Sequence, residues 1–463
     1  MRSCNSRVHR RGGYHPPTIV GANACRARVK IMNSVELTKK LIEIESTDPG
    51  AYEFEIEKFI KDFLLAIKTD DVEILESEVI NGRKNLMAVL KSCNKNSVGD
   101  DILSSRVGED IIRSQIVGAK LCEPELRSCN SRVHCECEPE LVLICHMDTV
   151  VVGNDWTEKP FVAIEKDGRI YGRGSTDMKS GLAVALKIFE YAVKNIDAKK
   201  MKRDFKVIFT VDEEADMKGV EKAIADKWVS EKSFVADLEP TDKMIQVSHK
   251  GRFWVKLNVK GKTAHASRPE LGIDANACLA EIISFVRNEV KKLPADGEIG
   301  RTTVTFGMMS GGYESYVVPD RAETTMDFRL APPTYNHDII KIINNAILNV
   351  KKIISNDVVV KYEITGDRPF VKKDDNSEFL QMMKETILSI YEKEKNDDYI
   401  PIITSFSGYT DTAVIAATLN NKNTLSYGPG SLALAHKPDE YVEIKDIERC
   451  ERVYRALVGR VLI

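Results

Sequence analysis

The run FKVIFTVD at 205–212 is apolar on both of its faces, and LVLIC at 141–145 is apolar throughout. A strand of this kind is stable only when both faces are covered, as in a parallel sheet flanked by helices. The intervening chain supplies such helices. Within 52–67, Ile56, Phe59, Ile60, Phe63, Leu64 and Ile67 fall on one helical face; from about Met178 onward, Leu182, Ala185, Leu186, Phe189 and Val193 do the same. VEILES, LMAVLK and SFVADL read as further strands, and KGVEKAIADKWVSE as another helix. The order is that of βαβ units, so the fold class is α/β.

From Arg252 the period changes. Phe253, Val255, Leu257 and Val259 alternate with Arg252, Trp254, Lys256, Asn258 and Lys260, the pattern of a sheet buried on one side. A helix (273–292), two strands (302–308 and 323–330), a helix (336–354) and a strand (358–364) follow. This βαββαβ order is the ferredoxin-like split unit, inserted into the first domain. The expected organisation is a catalytic α/β domain at 32–245 and 366–463, interrupted by a lid at 246–365.

Two stretches stand apart. The octapeptide RSCNSRVH occurs at 2–9 and 127–134, and CEPEL at 122–126 and 137–141. Both repeats touch a polar segment, 93–140, between LMAVLK and LVLIC, which read as adjacent strands; the segment is expected to be a tolerated surface insert. Cys129, His134, Cys135 and Cys137 lack the two-pair separation of a structural zinc site. Residues 1–31 are basic, with Arg2, Arg7, Arg10, Arg11, Arg26, Arg28 and Lys30. They lack the apolar face of a transit peptide, and Pro16-Pro17 breaks a helix. They are expected to be unstructured, with Met32 as the ancestral start.

Charge removes other classes. With 67 Lys+Arg against 70 Asp+Glu, the formal net charge of -3 leaves no basic surplus to hold nucleic acid. No apolar run approaches the ~20 residues that span a bilayer. Of ten cysteines, eight lie before residue 146, and they show no regular disulfide pattern, so a reducing cytoplasm is expected. No G-x-S-x-G elbow frames a serine nucleophile; Ser407 in SFSGYTD lacks it.

Metal-type side chains sit where open α/β sheets bind ligands, at the carboxyl ends of the parallel strands. LVLIC runs into His146-Met147-Asp148, FKVIFTVD into Glu213-Glu214, and SFVADL into Glu239. Asp177 precedes a helix and His436 lies in the last segment. Each alone has a plain explanation: a satisfied histidine, a helix N-cap for Asp177, a solvated turn for Glu213-Glu214. Together, two histidines and several carboxylates suit Zn²⁺ or a similar ion, and a carboxylate can bridge two metals ~3.5–4 Å apart.

The motifs LICHMDTV, GRGSTDMKSG, TVDEE, DLEPT, GKTAHASRPELGIDA and YGPGSLALAHKPDEY resemble those of the M20 metallopeptidase family, the group of acetylornithine deacetylase, succinyl-diaminopimelate desuccinylase and glutamate carboxypeptidase. The likeness runs from Met32 to the C-terminus, outside 93–140. It implies a zinc-hydrolase catalytic domain with a lid that dimerises. It implies two Zn²⁺, with Co²⁺ or Mn²⁺ as substitutes: Asp177 bridges, His146 and Glu239 complete one site, and Glu214 and His436 the other. By the same resemblance Glu213 is the general base, Asp148 orients His146, and His265 reaches the active site of a homodimer partner. Arg329 holds a substrate carboxylate, and the loop with Gly428 and Gly430 lines the cleft. Two positions depart from the family: Tyr316 where Asn is common, and Asp216 where Gly is common.

The expected function is hydrolysis of the amide bond of a small peptide or N-acyl amino acid, as a deacylase, dipeptidase or carboxypeptidase. The alternative is a catalytically silent metal- or peptide-binding homologue, against which an intact Glu213 argues. Neither nucleic acid nor a membrane is an expected partner.

Overall fold

The computed structural model describes residues 32–92, 139–393 and 401–463. The basic extension, all of the expected insert but its last two residues, and Cys129, His134, Cys135 and Cys137 lie outside these residues.

The first part of the chain forms α1 (Ser34–Ile42), α2 (Phe54–Ile67), β1 (Val72–Ile80), β2 (Arg83–Leu90), β3 (Leu141–His146), α3 (Ser180–Asn195), β4 (Phe205–Thr210), α4 (Lys218–Ala225), β5 (Phe234–Pro240) and β6 (Ile245–His249). Next come β7 (Gly251–Lys260), α5 (Ala275–Val290), β8 (Thr303–Gly311), β9 (Arg321–Leu330), α6 (Asn336–Ile353) and β10 (Val359–Arg368). The chain ends with α7 (Glu378–Lys393), β11 (Ile403–Phe406), α8 (Asp411–Leu419), β12 (Thr424–Gly428) and α9 (Ile444–Leu462).

An eight-stranded sheet has the order β11-β6-β12-β5-β3-β4-β2-β1, and its centre, β12-β5-β3-β4, is parallel. Helices cover both faces, which is why these strands carry no polar stripe. On one side α1, α2, α3, α7 and α9 pack a core that includes Phe63, Phe189, Phe205, Phe379 and Tyr454. On the other, Val220 and Ala223 of α4 and Ala413, Val414 and Ile415 of α8 pack against Val142, Ile144 and Ile208.

Two expectations need correction. LMAVLK and LVLIC are not neighbours: β4 lies between them, antiparallel to β2 and parallel to β3, so Leu90 and Leu141 both face Phe205. FKVIFTVD is therefore parallel to a neighbour on one side only. The helix at KGVEKAIADKWVSE stops at Ala225, where Lys227 takes a left-handed φ of 59° and turns the chain out.

The second sheet has the order β8-β9-β7-β10 with every pair antiparallel, the ferredoxin-like arrangement. Phe253, Val255, Leu257, Met326 and Phe328 bury one face under α5 and α6. Asp274 caps α5, accepting from the Ala277 amide at 3.0 Å. The boundaries expected at 246 and 365 fall inside β6 and β10, and the chain changes sheets at Lys250 instead. Gly251 is required there, because a Cβ would lie 2.7 Å from the Arg368 carbonyl. The outgoing and returning segments are bonded to each other: the His249 amide donates to the Val371 carbonyl at 2.9 Å, and the Val371 amide donates back at 3.0 Å.

Candidate metal centre

The carboxyl ends of β3, β4 and β5 and the loop after β12 converge on one point. His146 ends β3, Glu213-Glu214 follow β4, Glu239 lies at the end of β5, and His436 follows β12. Asp177 comes from the irregular turn Ser175–Lys179 that leads into α3. Its carboxylate stands between the two histidines, with Oδ1 3.1 Å from His146 Nε2 and Oδ2 3.4 Å from His436 Nε2. Each histidine also has its own glutamate: Glu239 Oε1 is 3.6 Å from His146 Nε2, and Glu214 Oε2 is 2.9 Å from His436 Nε2. Ligand atoms of His146, Asp177 and Glu214 lie within 4.8 Å of one another, as do those of His146, Glu213 and Glu239.

The electrostatics of this cluster call for cations. Burial pushes the carboxyls of Glu213, Glu214 and Glu239 upward, and Asp177 adds to the rise at the last two. Burial acts on Asp177 as well, but hydrogen bonds to both histidines outweigh it and hold this carboxyl below its ordinary value. Hydrogen bonds to Asp177 and Glu214 push His436 up to about 11. Four carboxylates and two imidazoles form the donor set of borderline divalent ions, and one carboxylate shared between two His–Glu pairs has the layout of a two-ion site.

The supporting residues fix this layout. His146 Nδ1 donates to the Asp148 backbone carbonyl at 2.9 Å, while the Asp148 carboxylate stands at 3.7 Å. That carboxylate instead accepts from the Glu214 amide at 3.0 Å, so Asp148 holds both candidate ligands, one through its backbone. Glu440, to which the sequence assigned no role, accepts from the amides of Gly174, Thr176 and Asp177 at 3.0, 2.8 and 3.1 Å and pairs with Arg173 at 2.6 Å. It ties the segment of His436 to the turn of Asp177. Behind Glu213-Glu214, Arg83 pairs with Glu53 at 2.5 Å, Asp48 at 2.7 Å and Asp212 at 3.4 Å. The carboxylates of Asp48, Glu53 and Asp148 also converge, but there the guanidinium is the cation.

The cluster opens into a cavity of about 170 Å³ lined by Asp177, Glu213, Glu214 and Glu239 on one wall and Arg252, Trp254 and Arg329 on the other. Arg252 and Trp254 are additions to the sequence reading. Arg329 is present, with its charge answered by Asp327 at 3.0 Å. Gly428 and Gly430 do not line this cavity. They are buried behind it, where a Cβ would strike the Leu238 carbonyl or Thr176 Oγ1. His265 is not brought to the cluster of its own chain: it is exposed and bonded to Ser267 at 2.8 Å. Tyr316 is likewise exposed. Asp216 takes no left-handed turn; that conformation falls on Asp212 and Met217, with φ of 68° and 63°.

The model of the peptidase family M20/M25/M40 matches residues 142–460. The chain belongs to this family. It is 30% identical over 336 residues to a probable succinyl-diaminopimelate desuccinylase of Staphylococcus aureus, spanning 66% of this chain and 79% of that protein. Its fold is similar to a Staphylococcus aureus tripeptidase at a TM-score of 0.67, with 19% identity and 92% and 97% of the two chains covered. It is also similar to a dinuclear metal-binding M20 peptidase of Bacillus subtilis, at a TM-score of 0.61 and 14% identity over 95% and 99% of the chains. This M20 member is a metal-dependent hydrolase of amide bonds, and the catalytically silent alternative finds no support in these matches. Among the described residues no helix is long and apolar enough to cross a membrane.

Proposed function

We propose that this M20 hydrolase cleaves the amide bond of a short peptide or an N-acyl amino acid at a pair of divalent ions, zinc first among them. The observation that carries this reading is Asp177, shared between His146 with Glu239 and His436 with Glu214. Two ions held there would lower the pKa of water and polarise the scissile carbonyl. The protein's own part begins with His146, whose Nδ1–H is committed to the Asp148 carbonyl, leaving Nε2 free to ligate. Glu213 shares the cavity wall and stands close to His146 and Glu239, but it is the carboxylate outside the two His–Glu pairs that flank Asp177. It takes the proton of the attacking water and returns it to the departing amine. The names of the relatives offer succinyl-amides and tripeptides as starting substrates.

The assembly we propose is a homodimer formed through the second sheet, in which His265 serves the partner's cavity. The exposed Met308, Met309, Tyr313 and Tyr316 at and beyond edge strand β8 support it. A reducing cytoplasmic location accords with the free, buried Cys145, Cys278 and Cys450.

Elemental analysis under saturating zinc tests the centre: close to two ions per chain are expected, and none bound would reject it. Replacing His146 or Asp177 removes metal and activity together. Glu213→Gln keeps the metal and lowers kcat by about 10²–10⁴, the range for a general base; an unchanged kcat would exclude that role.

A further inference from the structure

Three arginines form a row across three neighbouring strands of the second sheet. Arg252 on β7 is in register with Arg329 on β9 and with Arg368 on β10. Directly opposed like charges destabilise a sheet unless something answers them. The two outer members are answered, Arg329 by Asp327 at 3.0 Å and Arg368 by Glu221 at 2.6 Å. The middle one is not. Arg252 is 8% exposed, its Nε has no hydrogen-bond partner, and no carboxylate among the described residues lies within ion-pair distance of it. Its recorded hydrogen bond runs from Nη1 to the Ala215 carbonyl at 3.3 Å. Burial and the adjacent Arg368 depress its pKa by more than the carboxylates of Glu213 and Asp327 raise it.

The site around Arg252 is built to hold an anion. The guanidinium lies over the Trp254 ring, 4.0 Å from its centroid, which fixes its plane. Trp254 in turn is opposite Gly366, where a Cβ would come within 3.3 Å of the indole. Both Arg252 and Trp254 face the cavity that holds Glu213 and the candidate ligands. Counting charge on this wall, Arg329 and Asp327 cancel and Arg252 leaves a single positive charge.

We propose that Arg252 is the specificity-determining anchor for one substrate carboxylate in this cleft, the role that the family resemblance gives to Arg329. The assignment rests on the amide-hydrolysis reading of the same cavity. A planar guanidinium with free donors binds a carboxylate in two parallel hydrogen bonds, and charged hydrogen bonds of this kind correspond to roughly a 10- to 100-fold preference. The substrate is then an amide carrying a carboxylate on one fixed side of the scissile bond.

Four compounds separate the two sides: succinyl-L-alanine, acetyl-L-alanine, succinyl-L-alaninamide and acetyl-L-alaninamide. With zinc-loaded wild-type protein, removing one particular carboxylate should lower kcat/KM at least tenfold. In Arg252→Gln that same removal should make little difference, and Arg252→Lys should restore part of the discrimination. In Arg329→Gln the discrimination should persist. If Arg329→Gln abolishes it and Arg252→Gln does not, the carboxylate belongs to Arg329. If Arg252→Gln lowers kcat/KM for all four compounds equally, Arg252 only braces the fold and the proposal fails. Should wild type hydrolyse none of them, the N-acyl amino acid half of the substrate reading fails, and calorimetric titration of the same zinc-loaded protein decides the anchor. Succinyl-L-alanine must then bind at least tenfold more tightly than acetyl-L-alaninamide, with the gap lost in Arg252→Gln; equal binding overturns the proposal.

Discussion

His249 is a neutral histidine enclosed by aromatic rings: Phe406 at 5.7 Å, Tyr409 at 6.4 Å, and no hydrogen-bond partner at Nδ1. Burial lowers its pKa from 6.5 to about 3. Between those two values the unfolded chain takes up a proton that the folded chain refuses, so stability falls as pH drops below about 6.5 and is unaffected above it. The slope from this group is at most about 1.4 kcal/mol per pH unit. His249→Phe should therefore lose about 2 kcal/mol less than wild type between pH 6.5 and pH 5, as measured by urea unfolding; equal losses would mean that His249 is charged in the folded protein. At this scale the sequence made some residues legible and hid others. His146, Asp177, Glu214, Glu239 and His436 could be picked out because each ends a strand or opens a turn inside a recognisable motif. Glu440 and Arg83 could not, since their partners are brought to them only by folding: Arg173 is 267 positions from Glu440, and Asp212 is 129 from Arg83. Arg252 was hidden differently, as one polar residue in an alternating strand whose outer face would ordinarily meet water.

The elements themselves followed from periodicity, for apolar spacing reports which faces are covered. Their lateral order did not, because spacing says nothing about which strand lies beside which. LMAVLK and LVLIC show this: they follow one another around 93–140, yet β4 separates β2 from β3. A connector must therefore cross two strand spacings, about 9.6 Å, between Leu90 and Leu141. Four or five residues in extended form span that distance. Replacing 93–138 by a linker of about five glycine and serine residues should raise the unfolding free energy by only about 1–2 kcal/mol, since closure entropy changes slowly with loop length. Activity on the best substrate should also be retained. A deletion variant that fails to fold would show that the segment carries structure.

For the whole molecule, the placement of His265 makes assembly a catalytic question. Chains with His265→Ala and chains with Glu213→Gln are each expected to be inactive. If His265 acts across a dimer, random exchange gives mixed dimers as half of the population, each with one intact site, so about a quarter of all sites should recover. A mixture that stays inactive after exchange has been verified by mass would remove the trans role and leave the metal centre as it is. The neck joining the two sheets has a mechanical consequence of its own. Two separate tethers would let one body swivel on the other, but His249 and Val371 are stitched together into a ribbon, and a ribbon bends across its flat side far more readily than it twists. Arg252 is mounted three residues beyond His249, at the root of that lever. With Arg252 as the carboxylate anchor proposed above, such a mounting would set, like the jaws of a caliper, the span from carboxylate to scissile bond that the cleft accepts.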